Sequence, residues 1–236
     1  MAQTTLKSHF WRGFRDAIPF VFVAGPFGIL FGVLATEAGL KLYETMTFTT
    51  AVFAGTAQFA ALQLMQEGAP TVIVIITALV VNLRVAMYSA SLTPYLGQAS
   101  MGWRVPIAYF TVDQSYALSI TKFESSPDLT LSERIAYFFG TNGPIAPLWY
   151  VATLFGAVMG SRIPDAWALD FALPLAFLAM LGPLLRTPAH IAAALASIVV
   201  TLVMAWIPYN LSLLIGALAG MITGAQVELR MSRANA

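Results

Sequence analysis

The chain has 236 residues, 58% of them apolar and 10% charged, and its mean hydropathy is +0.77. A soluble domain carries about 25% charged residues to coat its surface, so the composition excludes a soluble globular protein and leaves an all-α, polytopic membrane protein filling residues 1–236 as a single domain. The net charge of +1 advertises no surface for nucleic acid, and the absence of cysteine excludes disulfides, thiolate metal sites and a cysteine nucleophile.

Lys7, His9, Arg12 and Arg15 precede the first apolar stretch, a pattern that also opens secretory signal peptides. This stretch is longer than a signal-peptide core, carries Pro19 and Gly25-Pro26, and is followed by further apolar runs. It therefore reads as a retained first span. Runs bounded by charge and turn residues predict eight spans of about 20 residues each, at 18–40, 46–66, 70–96, 105–121, 133–160, 167–185, 189–207 and 209–227. The span 105–121 is the most polar, with Asp113 and Gln114, while 70–96 and 133–160 are long enough to be tilted or broken. With the N-terminus inside, Lys7, Arg12, Arg15, Lys122, Arg134, Arg186, Arg230 and Arg233 are cytoplasmic, and Lys41, Arg104 and Arg162 lie outside. Lys and Arg accumulate on the cytoplasmic side, so both termini are predicted there.

Shifting the chain by 118 residues lays Gly25-Pro26 on Gly143-Pro144, Phe53-Ala54 on Phe171-Ala172, and Pro70 on Pro188. This suggests two repeats, about 18–121 and 133–227, of parallel or inverted topology. Transporters built from repeats often hold their substrate between interrupted helices at corresponding positions. Proline removes a backbone donor and disfavours the helix interior. The breaks are therefore expected at Gly25-Pro26 and at Asn142-Gly143-Pro144, where freed N–H groups would hold an anion; simple kinks are the alternative reading.

Ionisable groups at membrane depth are costly and usually functional. Arg84 lies midway along 70–96 and Asp113 midway along 105–121, and both are expected to face one polar interior, either paired or bridged by substrate. At 100° per residue, Arg84, Tyr88, Ser91 and Tyr95 share one face of their helix, and Asn82, Ser89 and Thr93 lie opposite. Gln58 follows the small pair Ala51 and Gly55; a buried glutamine needs partners, either substrate or a neighbouring helix. His190 reads as an interfacial residue and Asp170 as a helix-start charge. There is no phosphate-binding glycine loop, paired histidine or serine elbow, so no enzymatic activity, cofactor or metal is expected, and uphill transport would draw on an ion gradient or another subunit.

Five runs, in order along the chain, are similar to the AzlC family, the large subunits of bacterial branched-chain amino acid exporters. They are Ala-Gly-Pro-Phe-Gly (24–28), Phe-Ala-Gly-Thr-Ala-Gln-Phe (53–59), Asn-Leu-Arg-Val-Ala-Met-Tyr (82–88), Thr-Val-Asp-Gln-Ser-Tyr-Ala (111–117) and Asp-Phe-Ala-Leu-Pro (170–174). Gln114 departs from the acidic residue expected after the aspartate, which argues against a carboxylate-pair proton relay. The resemblance implies a bacterial inner-membrane exporter of leucine, isoleucine, valine or similar amino acids. It also implies ion coupling and a small AzlD-like membrane subunit. Arg84, Asp113, Asn82, Gln58, Tyr88, Gly25, Pro26, Asn142, Gly143 and Pro144 are the candidate transport residues. An uncoupled channel and a scaffold subunit without transport remain as alternatives.

Overall fold

The computed structural model describes residues 6–160, 185, 187–207 and 211–234. All but the last residue of the expected span 167–185 lies outside the described residues, as do Arg162, Asp170, Arg186 and the repeat matches at 171–172. The described elements are all α-helical: α1 (Leu6–Glu37), α2 (Leu42–Ala51), α3 (Gly55–Gln66), α4 (Thr71–Leu96), α5 (Met101–Tyr109), α6 (Asp113–Ser125), α7 (Leu131–Gly160), α8 (Pro188–Val203) and α9 (Leu211–Ala234). Among the described residues, four stretches are long and apolar enough to cross a membrane: α1, α4, α7 and Leu211–Met231 within α9. The expected spans 46–66 and 105–121 are not single helices. Each is divided, at 52–54 and at 110–112.

The described chain forms two compact units, one running to Leu62 and then from Val81 through α7, the other holding Gln63–Val80 and the last two helices. In the first unit α1 and α7 run parallel and touch backbone to backbone. A Cβ on Gly140 would fall on the Phe10 carbonyl oxygen, one on Gly156 on the Ile29 carbonyl, and one on Gly32 on the Thr153 carbonyl. Small residues at such intervals are how membrane helices approach closely, because lipid supplies no hydrophobic drive for association.

This packing corrects the expected breaks. α1 continues through Pro19 and Pro26, and α7 through Pro144 and Pro147. A membrane helix tolerates proline when neighbours re-satisfy the freed backbone groups, and here the two helices support each other along their length. Gly25 and Gly143 are not opposed. Gly25 meets Leu148, whose Cδ2 would lie 3.5 Å from a methyl at Gly25, whereas Gly143 abuts the Phe14 ring. Phe14 and Gly25 are eleven residues apart on α1, about 16 Å along the axis.

The break at 110–112 sits where polar side chains take over backbone bonding. Thr111 donates to the Ile107 carbonyl at 2.7 Å. Ser115 Oγ accepts from the Val112 N–H at 3.0 Å and donates to the Phe110 carbonyl at 3.1 Å. At the other break the Ala54 N–H donates to the Val52 carbonyl at 2.9 Å.

Both divided segments fold back on themselves. Arg104 bonds the Gly97 carbonyl, and Ser89 and Thr111 line one cavity, so α5 runs antiparallel to α4. Asp113 then meets Arg84 and Tyr88, Tyr116 meets Tyr88 and Ser91, and Phe123 meets Tyr95. Hence α6 returns parallel to α4. For α2 and α3, Phe31 packs on both Phe48 and Phe59, with ring centroids at 5.7 and 5.8 Å. Thr56 lies at the level of Arg84, and a tight turn at Gly68 (φ +69) joins α3 to α4. If α3 ran with α4, Gln66 would be about 35 Å from Thr71 at 1.5 Å per residue, beyond the reach of the four-residue link. α3 therefore runs antiparallel to α4.

In the second unit, Gly216, Gly220 and Gly224 of α9 pack in antiparallel register against Thr201, Ser197 and Ala193 of α8. Thr187 caps α8 by accepting the His190 N–H at 3.2 Å, and the His190 side chain is exposed.

Candidate functional site

The tips of the two folded-back segments meet. Phe53 lies between Tyr109 and Tyr150, stacked at 5.8 and 5.5 Å, with Phe110 edge-on at 5.7 Å. Tyr109 shares a hydrogen bond with the Tyr150 hydroxyl at 2.7 Å, and its hydroxyl contacts the Thr50 carbonyl at 2.6 Å. The unwound residues are shielded, with Phe53 8%, Ala54 6% and Thr111 2% exposed. Protein cover of this kind is what irregular backbone at membrane depth requires.

Beside this aromatic seam, Arg84 reaches from α4 to both tips. Its Nη1 pairs with Asp113 Oδ2 at 3.1 Å, and its Nη2 donates to Thr56 Oγ1 at 2.5 Å. Tyr88, one turn along α4, donates to Asp113 Oδ1 at 2.8 Å. Tyr88 in turn stacks face to face on Tyr116 at 4.3 Å, and the Tyr116 hydroxyl is 3.1 Å from Ser91 Oγ. Thr56 and Asp113 both lie in the first turns of their helices. First-turn N–H groups have no intrahelical acceptor and carry a positive partial charge. Two helix starts, a guanidinium and a carboxylate thus converge at one point. The ion-pair side chains are 29% and 36% exposed, so the pair is open on one flank.

Of the residues predicted from sequence, the structure brings together Arg84, Asp113 and Tyr88. Gln58 is fully buried, and neither amide atom has a partner. It sits two residues past Thr56, about 200° around α3, so it faces away from Arg84. Asn82 is half-buried with Oδ1 unpartnered and is not part of the cluster. Gly25 and Gly143 belong to the α1–α7 packing, Pro26 is exposed on α1, and on α7 Pro144 is half-buried and Asn142 buried. There Asn142 donates to the Phe138 carbonyl at 3.1 Å. Ser89 and Thr93, on the second polar stripe of α4, line a mainly apolar cavity of about 240 Å³ with Leu92 and Ile107. Thr56 and Tyr116 join the site without having been singled out by sequence. Both stand inside the motif runs, and Tyr116 is placed three residues after Asp113, where a helix start brings it over the same face.

The fold and this charged junction within apolar helices define a helical membrane protein. Residues 19–163, from within α1 through α7 and including both folded-back segments, match the family model described as AzlC protein. The chain belongs to the AzlC family, a membrane-transport-associated family. The chain is 25% identical over 178 residues to the inner membrane protein YgaZ of Escherichia coli (strain K12), covering 73% of this chain and 71% of that one. An uncharacterized membrane protein of Helicobacter pylori (strain ATCC 700392 / 26695) is 26% identical over 177 residues, 72% of this chain and 75% of the relative. One from Archaeoglobus fulgidus is 27% identical over 198 residues, 82% and 84%. No solved structure matches.

Proposed function

We propose that the chain is a secondary, ion-gradient-coupled exporter of branched-chain or similar hydrophobic amino acids, acting in the cell membrane with a small AzlD-like membrane subunit. The observation that supports this most is the Arg84–Asp113 pair at the starts of α3 and α6. An amino acid is a zwitterion and needs a cation for its carboxylate and an anion for its ammonium. Empty, the pair is self-neutralised. Occupied, it exchanges one partner for another: the substrate carboxylate takes Arg84, Thr56 and the N–H groups opening α3, and the ammonium takes Asp113. Such a swap keeps the number of unpaired charges at zero in both states, which a low-dielectric interior demands.

The test is efflux of a panel of radiolabelled amino acids from cells expressing the chain with and without a small partner subunit. Leucine, isoleucine or valine efflux above the empty-vector rate is expected. Absence of flux for the whole panel, with the partner present, sinks the transport reading and leaves a scaffold. Proteoliposomes separate coupled export from an uncoupled channel, since only the first accumulates leucine against its gradient when an ion gradient is imposed.

A further inference from the structure

We infer that α2–α3 and α5–α6 are re-entrant hairpins that enter the membrane from opposite faces. Residues 6–125 are thus an inverted repeat of about sixty residues, α7 opening the next period, and the hairpin tips are the two gates of the Arg84–Asp113 site. Three observations carry this.

The first is direction. α1 and α7 run parallel, and α4 runs against them: Arg134 of α7 reaches the Tyr95 carbonyl near the end of α4 at 3.5 Å, while Trp149 abuts Gly55, beside the Thr56 that holds Arg84. The α2–α3 hairpin therefore opens at the end that holds Glu37 and Thr71, and the α5–α6 hairpin at the opposite end, which holds Leu6 and Leu96. The second is length. α4, at 26 residues, is about 39 Å long and crosses a hydrocarbon core of about 30 Å. α2 and α3, with 10 and 12 residues, reach only about 15 and 18 Å, to mid-depth.

The third is periodicity. Leu42 and Met101, which open α2 and α5, are 59 positions apart; Gly55 and Asp113 are 58 apart, and Thr71 and Leu131 60. Each unit is a long helix followed by a hairpin, and successive units point in opposite directions. The 118-residue shift found in the sequence is twice this period and maps α1 onto α7, which is why those two are parallel.

Charge agrees with this reading. Lys7, Arg12, Arg15, Arg104, Lys122 and Arg134 lie toward the Leu6 end, and among the described basic residues of this unit only Lys41 lies toward the other. The Leu6 end is accordingly cytoplasmic by the positive-inside rule. A straight crossing by 105–121 would instead leave Arg104 outside. The solute would reach Arg84 from the cytoplasm past the tip at 110–112 and leave past the tip at 52–54. This gating clause rests on the transport reading; the sidedness of the hairpins does not.

The chain has no cysteine, so single cysteines report sidedness directly. Gln66→Cys, Gln98→Cys, Lys41→Cys and Asp128→Cys are all at exposed positions and would be labelled with a membrane-impermeant maleimide on intact and on permeabilised cells. Gln66→Cys is expected to label with Lys41→Cys, and Gln98→Cys with Asp128→Cys. The reverse grouping, Gln66 with Asp128 and Gln98 with Lys41, overturns the hairpins and restores two full crossings. Ala69→Cys and Ser100→Cys repeat the measurement if a first variant is not made. For the gates, Phe53→Cys/Tyr150→Cys and Phe110→Cys/Phe139→Cys pin one tip each to α7 through a short cleavable thiol cross-linker. Each is expected to lower leucine efflux at least tenfold and to recover it on cleavage. Undiminished efflux with either tip pinned overturns the gating clause while leaving both the sidedness result and the transport reading standing.

Discussion

The phenol of Tyr88 donates to one oxygen of the Asp113 carboxylate at 2.8 Å, leaving the other oxygen to Arg84 at 3.1 Å. Tyr88 thereby fixes the plane of the carboxylate that the guanidinium meets. Tyr88→Phe keeps the stack on Tyr116 and removes only the donor. A hydrogen bond to a charged group contributes about 1.5–3 kcal/mol, so KM for amino-acid efflux is expected to rise about tenfold or more with membrane yield near that of the parent. An unchanged KM would reduce Tyr88 to a packing residue.

Arg84 and Asp113 are expected to be thermodynamically coupled. Truncating one leaves the other unpaired at membrane depth, where breaking a buried pair costs about 3–5 kcal/mol; the partial exposure of this pair places it toward or below the low end. Arg84→Ala and Asp113→Ala should each lower membrane yield and abolish efflux. The double variant should regain yield but not efflux. The measurement is a double-mutant cycle on detergent-solubilised Tm, with a coupling of about 0.5–3 kcal/mol for groups in contact. Strict additivity would show that the two charges do not depend on each other.

Glycine tolerance distinguishes packing from backbone breakage along α1 and α7. Gly156→Ala would drive a methyl into the Ile29 carbonyl, and Gly32→Ala one into the Thr153 carbonyl; overpacking of this kind costs about 1–3 kcal/mol. Gly25→Ala has no neighbour closer than 3.5 Å and is expected to be neutral or slightly stabilising. Tm values of the three variants settle it. A Gly25→Ala more damaging than Gly156→Ala would bring back a functional break at Gly25-Pro26.

Gln58 separates stability from function. Its amide is fully buried without a partner, and an unsatisfied buried polar group costs about 1–3 kcal/mol. Gln58→Met removes the polar atoms at similar volume and should raise Tm. If the amide serves the transported solute or its co-ion, efflux falls in the same variant. A higher Tm with unaltered efflux marks Gln58 as structural, and a lower Tm contradicts the burial argument.

The long helices are legible from apolar run length, and the two intramembrane charges from the contrast between Arg84 or Asp113 and their surroundings. The hairpins are not. Hydropathy windows register how apolar a segment is and carry no sign for direction, so a run that dips to mid-depth and returns reads like one that crosses. One local cue is present. Asp113 sits in the first turn of α6, after the extended Val112, and an acidic residue just inside a helix start is a recognised signature; read as a mid-span charge, it hides the break. Gly25-Pro26 and Gly143-Pro144 mislead for the opposite reason. Proline signals a lost hydrogen bond, but glycine beside it does not say whether the chain bends or a second backbone comes close, and only the partner helix decides that.

The α1–α7 seam also sets the order in which this protein can be completed. Tyr137 bonds Asp16 across 121 residues of chain, and Thr36 bonds Ala157 across the same separation. At about 5–20 residues per second of synthesis, α1 waits roughly 6–24 s in the lipid before its partner helix emerges. Throughout that interval its glycine-lined stripe faces acyl chains or the insertion machinery. α1 therefore reaches its final packing only after α4 and both hairpins have been made, and its most closely packed surface stays uncovered throughout that interval.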